Sequence, residues 1–213
     1  MRFKSTTHPM IAICLAACLS TAAVAKEGRF NETINVGEKD PDFSDLPGID
    51  GKPHSLSDFH DAKAVAVVFT SNKCPVAVAY DARLVALQNK FAEQGVQLIA
   101  ICANFEAGHD LDALKEHAAS KNINFPYVRD DSQQVARAYG ATHTPQAFLL
   151  DGNRNIAYMG AIDDKEDPKQ VSHHYLQDAI ESTLAGQAPT TKETQPFGCR
   201  IRLKRRPVDR TER

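Results

Sequence analysis

Several features are missing from this 213-residue chain, and each absence closes off a class of protein. No paired Cys-x-x-Cys motifs occur, so the chain is not organised around structural zinc. Its five cysteines, at positions 14, 18, 74, 102 and 199, are too few and too scattered for a disulfide-stapled miniprotein. Neither sign of charge is in excess. The formal net charge of −2 gives no reason to expect nucleic acid as a partner. The N-terminal apolar run, Met10 to Cys18, is too short to span a bilayer comfortably. No internal repeat is visible.

What remains is an ordinary globular composition, 42% hydrophobic and 24% charged, enough for one core. The length does not accommodate two ordinary domains once the ends are set aside. Arg2 and Lys4, the apolar run and Ala23-Val24-Ala25 form a processing signal, with cleavage expected before Lys26. A rival reading takes Leu15 to Cys18 as a lipobox, with Cys18 lipidated; only then would the membrane be a partner. Either way the chain is expected to be exported, periplasmic or secreted, into a compartment where disulfides persist. The expected organisation is a signal peptide over 1–25, one domain over 36–187, and a basic tail over 188–213 that lacks periodic apolar residues.

The rest of the chain is arranged around Val65 to Pro75. A continuous apolar run predicts a strand buried on both faces. It breaks at Ser71-Asn72, and Pro75 suits the first position of a helix. Val76, Tyr80, Leu84, Leu87 and Phe91 then recur at helical spacing up to Gly95. Cys74 therefore falls at a helix N-terminus, where the macrodipole favours a nucleophilic thiolate. Its pKa is expected below the usual value of about 8.5. Downstream, Val96 to Ala103 predicts a second apolar strand, and Asp110 the cap of a helix running to Lys121. A short helix is expected over Asp131 to Tyr139. Gln146 to Leu150 and Ile156 to Met159 read as a hairpin, and Val171 to Leu184 as the last helix. Strand–helix–strand–helix, then hairpin and helix, is an α/β layered fold with its site at the carboxyl ends of the parallel strands.

These residues resemble the thioredoxin-fold redoxins, both thioredoxin-like proteins and the alkyl hydroperoxide reductase/thiol-specific antioxidant family. Pro41 to Phe59 looks like the family's N-terminal hairpin. Phe125 to Asp130 and Val135 to Gly140 look like its middle segment. Thr144-Pro145 resembles the cis-proline loop. Tyr158-Met-Gly-Ala-Ile-Asp163 and Gly198-Cys199 fit a bacterial redoxin pattern. The resemblance implies a mixed central sheet flanked by helices and an N-terminal hairpin extension. No cofactor is expected, and no metal, because His173-His174 has no second ligand pair at suitable spacing and Cys74 no second cysteine close by. The resemblance implies Cys74 as the catalytic nucleophile and Thr144 and Pro145 as substrate-binding residues, with a cis bond between them. Partners would be protein thiols and disulfides or a peroxide, with a thiol reductant as electron donor.

The departures from the family leave the chemistry open. Ser71 stands where a dithiol thioredoxin has its first cysteine, so Cys74 has no local partner. Peroxidase relatives carry a hydroxyl at that position to hold the thiolate, but also a proline where this chain has Val67 and an arginine on a later strand. Arg83 or Arg129 could substitute for that arginine. Thiol–disulfide exchange is favoured over peroxidase, with a non-catalytic binding module as the contrasting class. An attacking thiol needs a second thiol to release it. Cys199 is expected in that role, because about a dozen extended residues beyond Leu184 at about 3.3 Å each could cross the domain. Cys102, an unpaired tail cysteine and an interchain link stay open as alternatives.

Overall fold

The computed structural model describes residues 29–204. The expected leader, Cys14, Cys18 and the last residues of the basic run lie outside the described residues.

The chain forms a small hairpin of β1 (Leu46–Pro47) and β2 (Pro53–His54), with Asp50-Gly51 in its turn. A short 3₁₀ turn over Leu56–Phe59 leads to β3 (Ala64–Phe69). Helix α1 (Pro75–Phe91) follows, then β4 (Val96–Cys102), α2 (Leu111–Lys121), β5 (Tyr127–Arg129) and α3 (Gln134–Ala138). The second half contains β6 (His143–Thr144), β7 (Gln146–Leu150), β8 (Ile156–Gly160), α4 (Tyr175–Leu184) and β9 (Cys199–Arg200).

The central sheet has the order β5-β4-β3-β7-β8. β3, β4 and β5 run parallel, and β7 and β8 are antiparallel additions. The sheet is therefore mixed and covered by helices, as the resemblance implies. All six residues of β3 are buried. Ala64, Ala66 and Val68 face Tyr80, Leu84 and Leu87 of α1 together with α4. Val65, Val67 and Phe69 face Tyr139, Phe148 and the N-terminal segment. Each buried aliphatic side chain contributes roughly 1.5–3 kcal/mol, which places β3 at the most stable part of the molecule.

Three boundaries shift from the sequence expectation, each for a local reason. The last helix starts at Tyr175, not Val171, because the Asp164 carboxylate accepts bonds from Ser172 N–H and Oγ at 2.9 and 2.6 Å, which holds that stretch as a loop. Helix α3 starts at Gln134, because Gln133 is left-handed at φ 59° and the Asp130 carboxylate already takes the Ala136 N–H. The segment after Leu184 carries no apolar period, yet residues 188–204 are docked. Thr194 Oγ1 accepts the Ala161 N–H at 2.9 Å, Phe197 meets the Tyr80 ring, and Ile201 is buried. At the other end Asn31 is buried and donates to the Tyr139 carbonyl at 2.8 Å.

Candidate functional site

Cys74 is the N-cap of α1, with Pro75 next to it at N1. Its Sγ accepts the Ala77 N–H at 3.4 Å, one of the donors a helix start leaves without an intrahelical partner. Seventeen residues of helix point their positive end at this sulfur. On its other side Sγ lies 3.1 Å from the Thr144 carbonyl oxygen. The carbonyl contact is made by a disulfide-bonded sulfur and carries no proton; once the bond opens, the Ala77 amide and the helix end are there to receive the negative charge.

The Thr144–Pro145 bond is cis. Thr144 belongs to β6, which pairs antiparallel with β9 in the register Thr144↔Cys199 and His143↔Arg200. That pairing carries Cys199 to Cys74. The two form a disulfide with 5.9 Å between Cα atoms, well within bridging range. Gly198 makes the approach possible. Its φ of 132° suits glycine, and a Cβ there would collide with the Thr144 carbonyl. Cys102 is fully buried on β4 and outside this bond. Burial pushes its thiol up to about 11, which leaves it inert at neutral pH.

Ser71 sits one turn before Cys74, and its hydroxyl is engaged elsewhere. Oγ lies 2.9 Å from His109 Nε2 and accepts the Lys73 N–H at 3.2 Å. His109 Nδ1 donates to the Glu106 carbonyl at 3.0 Å. In the neutral ring Nε2 is then an acceptor, so the Ser71 proton points to His109. Sequence reasoning missed His109. The available signal was its place just before the Asp110 cap, in the loop leaving the carboxyl end of the strand beside β3. His143 lies on β6 with its pKa lowered by burial and by the Arg200 charge, and its Nδ1 meets Thr142 Oγ1 at 2.9 Å.

The two arginines raised as possible peroxide-site residues are committed elsewhere. Arg83 pairs with the buried Asp163 carboxylate at 2.5 Å and covers the Tyr80 ring at 3.9 Å. Arg129 is bound to Asp131. Neither lines the cleft beside the disulfide. That cleft, of about 460 Å³, is bounded by Ser71, Lys73, Cys74, His109, Cys199 and Arg200, among others.

A cysteine at a helix N-cap, opposite a cis-proline loop on a mixed sheet, defines a thioredoxin-fold redoxin, and hence an oxidoreductase. The profile of the AhpC/TSA family matches residues 36–159, more than half of the chain, and the chain belongs to that family. Among characterised relatives it is 28% identical over 163 residues to the thiol-disulfide oxidoreductase ResA of Geobacillus thermodenitrificans, covering 76% of this chain and 90% of that one. Among solved structures it is similar to a hypothetical protein of Sinorhizobium meliloti 1021, with TM-score 0.75, 33% identity, and coverage of 80% of this chain and 96% of that one. An uncharacterised conserved protein of Geobacillus kaustophilus superposes with TM-score 0.77 at 27% identity, over 83% and 96% of the two chains.

Proposed function

We propose that this protein is an exported thiol–disulfide oxidoreductase in which Cys74 attacks and Cys199 resolves. One observation carries the reading: β9 holds Cys199 against the helix-capping Cys74, at 5.9 Å between Cα atoms, where a Cys-x-x-Cys enzyme would use a neighbour in sequence. The Cys74 thiolate attacks one sulfur of a substrate disulfide, and the other sulfur leaves as a thiolate. Cys199, as a thiolate, then attacks Cys74 Sγ, expels the second substrate thiolate and closes the internal disulfide. Two electrons pass from the cysteine pair to the substrate. The similarity to thiol-disulfide oxidoreductases supports this class of reaction. The basic start, short apolar core and Ala-x-Ala site support export with loss of residues 1–25.

Ser71, three residues before Cys74, keeps a peroxidase as the second reading. That reading is weaker, because the Ser71 hydroxyl serves His109 and both Arg83 and Arg129 are held by carboxylates. Single-turnover reactions of the reduced protein with a mixed disulfide substrate test the assignment. Cys74→Ser should abolish exchange. Cys199→Ser should trap the substrate on Cys74, and wild type should yield an intrachain Cys74–Cys199 bridge in peptide maps. Turnover of Cys199→Ser at the wild-type rate would discard the resolving role.

A further inference from the structure

Two features control what can reach the Cys74–Cys199 disulfide. The first is occupation of the strand edge. An extended peptide could pair with the β6 backbone next to the cysteine, and β9 already does so. The tail is held there well beyond the bridge. Ile201 N–H donates to the Thr142 carbonyl at 2.9 Å, Gln133 Nε2 donates to the Arg202 carbonyl at 2.8 Å, and Gln133 Oε1 accepts the Lys204 N–H at 2.7 Å. With the tail docked, the β6 edge beside Cys74 is already taken.

The second feature is the cleft that stays open. Its volume of about 460 Å³ suits a small molecule. Its walls carry Lys73, Arg200 and Arg202 against a single carboxylate, Glu106. Arg202 approaches Glu106 at 3.4 Å. Lys73 and Arg200 are both exposed and form no ion pair among the described residues. The cleft therefore presents surplus positive charge beside a disulfide whose outer residue, Cys199, is only partly covered.

We propose that the Cys74–Cys199 disulfide is opened by a small thiol bearing carboxylate groups, held through Lys73 and Arg200. This names the electron donor of the exchange reaction above and rests on that reading. The donor thiolate attacks Cys199 Sγ. The protein S–S bond breaks, and Cys74 leaves as a thiolate stabilised by the Ala77 N–H and the helix end. A second donor thiolate attacks the sulfur of the first donor in the mixed disulfide and expels Cys199. Two donor thiols give up two electrons and two protons and become one small disulfide, and the protein disulfide becomes two thiols.

The test measures loss of the bridge in the oxidised protein with three probes at one pH: anionic glutathione, neutral 2-mercaptoethanol and cationic cysteamine. Rates are corrected for thiolate fraction and divided by those of the same thiols on an uncharged small disulfide. Glutathione should lead by roughly ten-fold after this correction, as expected of a charged cleft. The lead should vanish in Lys73→Gln/Arg200→Gln, and in wild type at about 1 M salt, where screening acts within a few ångströms. The 2-mercaptoethanol rate on the variant reports whether the fold is intact, and the salt measurement on wild type stands without the variant. Corrected rates independent of charge would overturn the anion site, as would a glutathione lead that persists at high salt. A thiol on a folded protein that opens the bridge faster than glutathione would overturn the assignment to a small donor. A bridge that no thiol opens would instead overturn the exchange reading itself.

Discussion

At the scale of single residues, the three cysteines of the 36–204 region differ because of what each touches. Cys74 has a helix end, Cys199 has a strand partner, and Cys102 has a burial that outweighs the Asn104 amide and the Arg129 charge and pushes its thiol up to about 11. This separation can be measured in two ways. In reduced protein at pH 8 the Cys102 thiol stays protonated, so iodoacetamide should label Cys74 and Cys199 and spare Cys102 until the protein unfolds. Cys102 labelled as fast as Cys74 would contradict its burial. Linkage gives the second measure. A thiol whose pKa is raised by folding stabilises the native state fully below its unfolded value near 9, and that stability is lost as pH rises toward about 11. Unfolding free energy should therefore fall across pH 9 to 11, and Cys102→Ala should flatten the slope by close to one proton. Gly198 is the other residue on which the site depends. Gly198→Ala forces a Cβ onto the Thr144 carbonyl at a φ of 132°, so β9 must shift. Internal disulfide formation in the reduced, peroxide-treated protein should slow at least several-fold while the fold persists. An unchanged rate would mean the register at Thr144↔Cys199 does not set the encounter.

At the scale of elements, the question is what holds α1, and with it Cys74, against the sheet. Asp163, in the loop after β8, accepts from Tyr80 Oη at 2.7 Å and from Arg83 at 2.5 Å, both on α1. It is almost fully buried, so this is a buried ion pair and not a surface one. Removing one partner of such a pair costs about 3–5 kcal/mol. Asp163→Ala should lose that order of stability in urea titration, and Asp163→Asn less, because the amide still accepts from Tyr80. A loss below about 1 kcal/mol for Asp163→Ala would place the pair with weak surface bridges. Elements of this kind were partly legible. β3 and α1 announced themselves through an unbroken apolar run, Pro75 and helical spacing, which depend on neighbours in sequence. The cis bond before Pro145 followed from the family pattern alone. The Ser71–His109 contact spans 38 residues between polar side chains and leaves no local trace. The docking of 188–204 was equally hidden. Its anchors are single residues, Thr194, Phe197 and Ile201, and a two-residue strand, none of which makes a period. Its clamp is the Gln133 side chain, distant in sequence.

At the scale of the whole molecule, the disulfide joins the central strand–helix unit to the end of the described chain, across a sequence separation of 125. Closing a loop of this size removes unfolded-state entropy worth about 4–5 kcal/mol in the chain-entropy model. The contacts of 188–204 with β6, β8 and α3 do not run through the bridge, so the native fold should survive its reduction. Reduced protein should thus stay folded yet be about 3–5 kcal/mol less stable to urea than oxidised protein. The loss should be unevenly felt. β3 is buried on both faces and should exchange its amides only on global unfolding, whereas β9 rests on a two-residue ladder, Ile201 and the Gln133 clamp. Hydrogen exchange should accelerate at Cys199 to Lys204 far more than at Ala64 to Phe69 when the bridge is reduced, because segments with few buried contacts open locally at low free energy. Equal acceleration at both places would mean that the tail and the sheet open together, and that Cys199 cannot leave Cys74 without unfolding the domain. On the proposed mechanism Cys199 must approach and withdraw in every cycle, and that requires its strand to open at far lower free energy than the sheet.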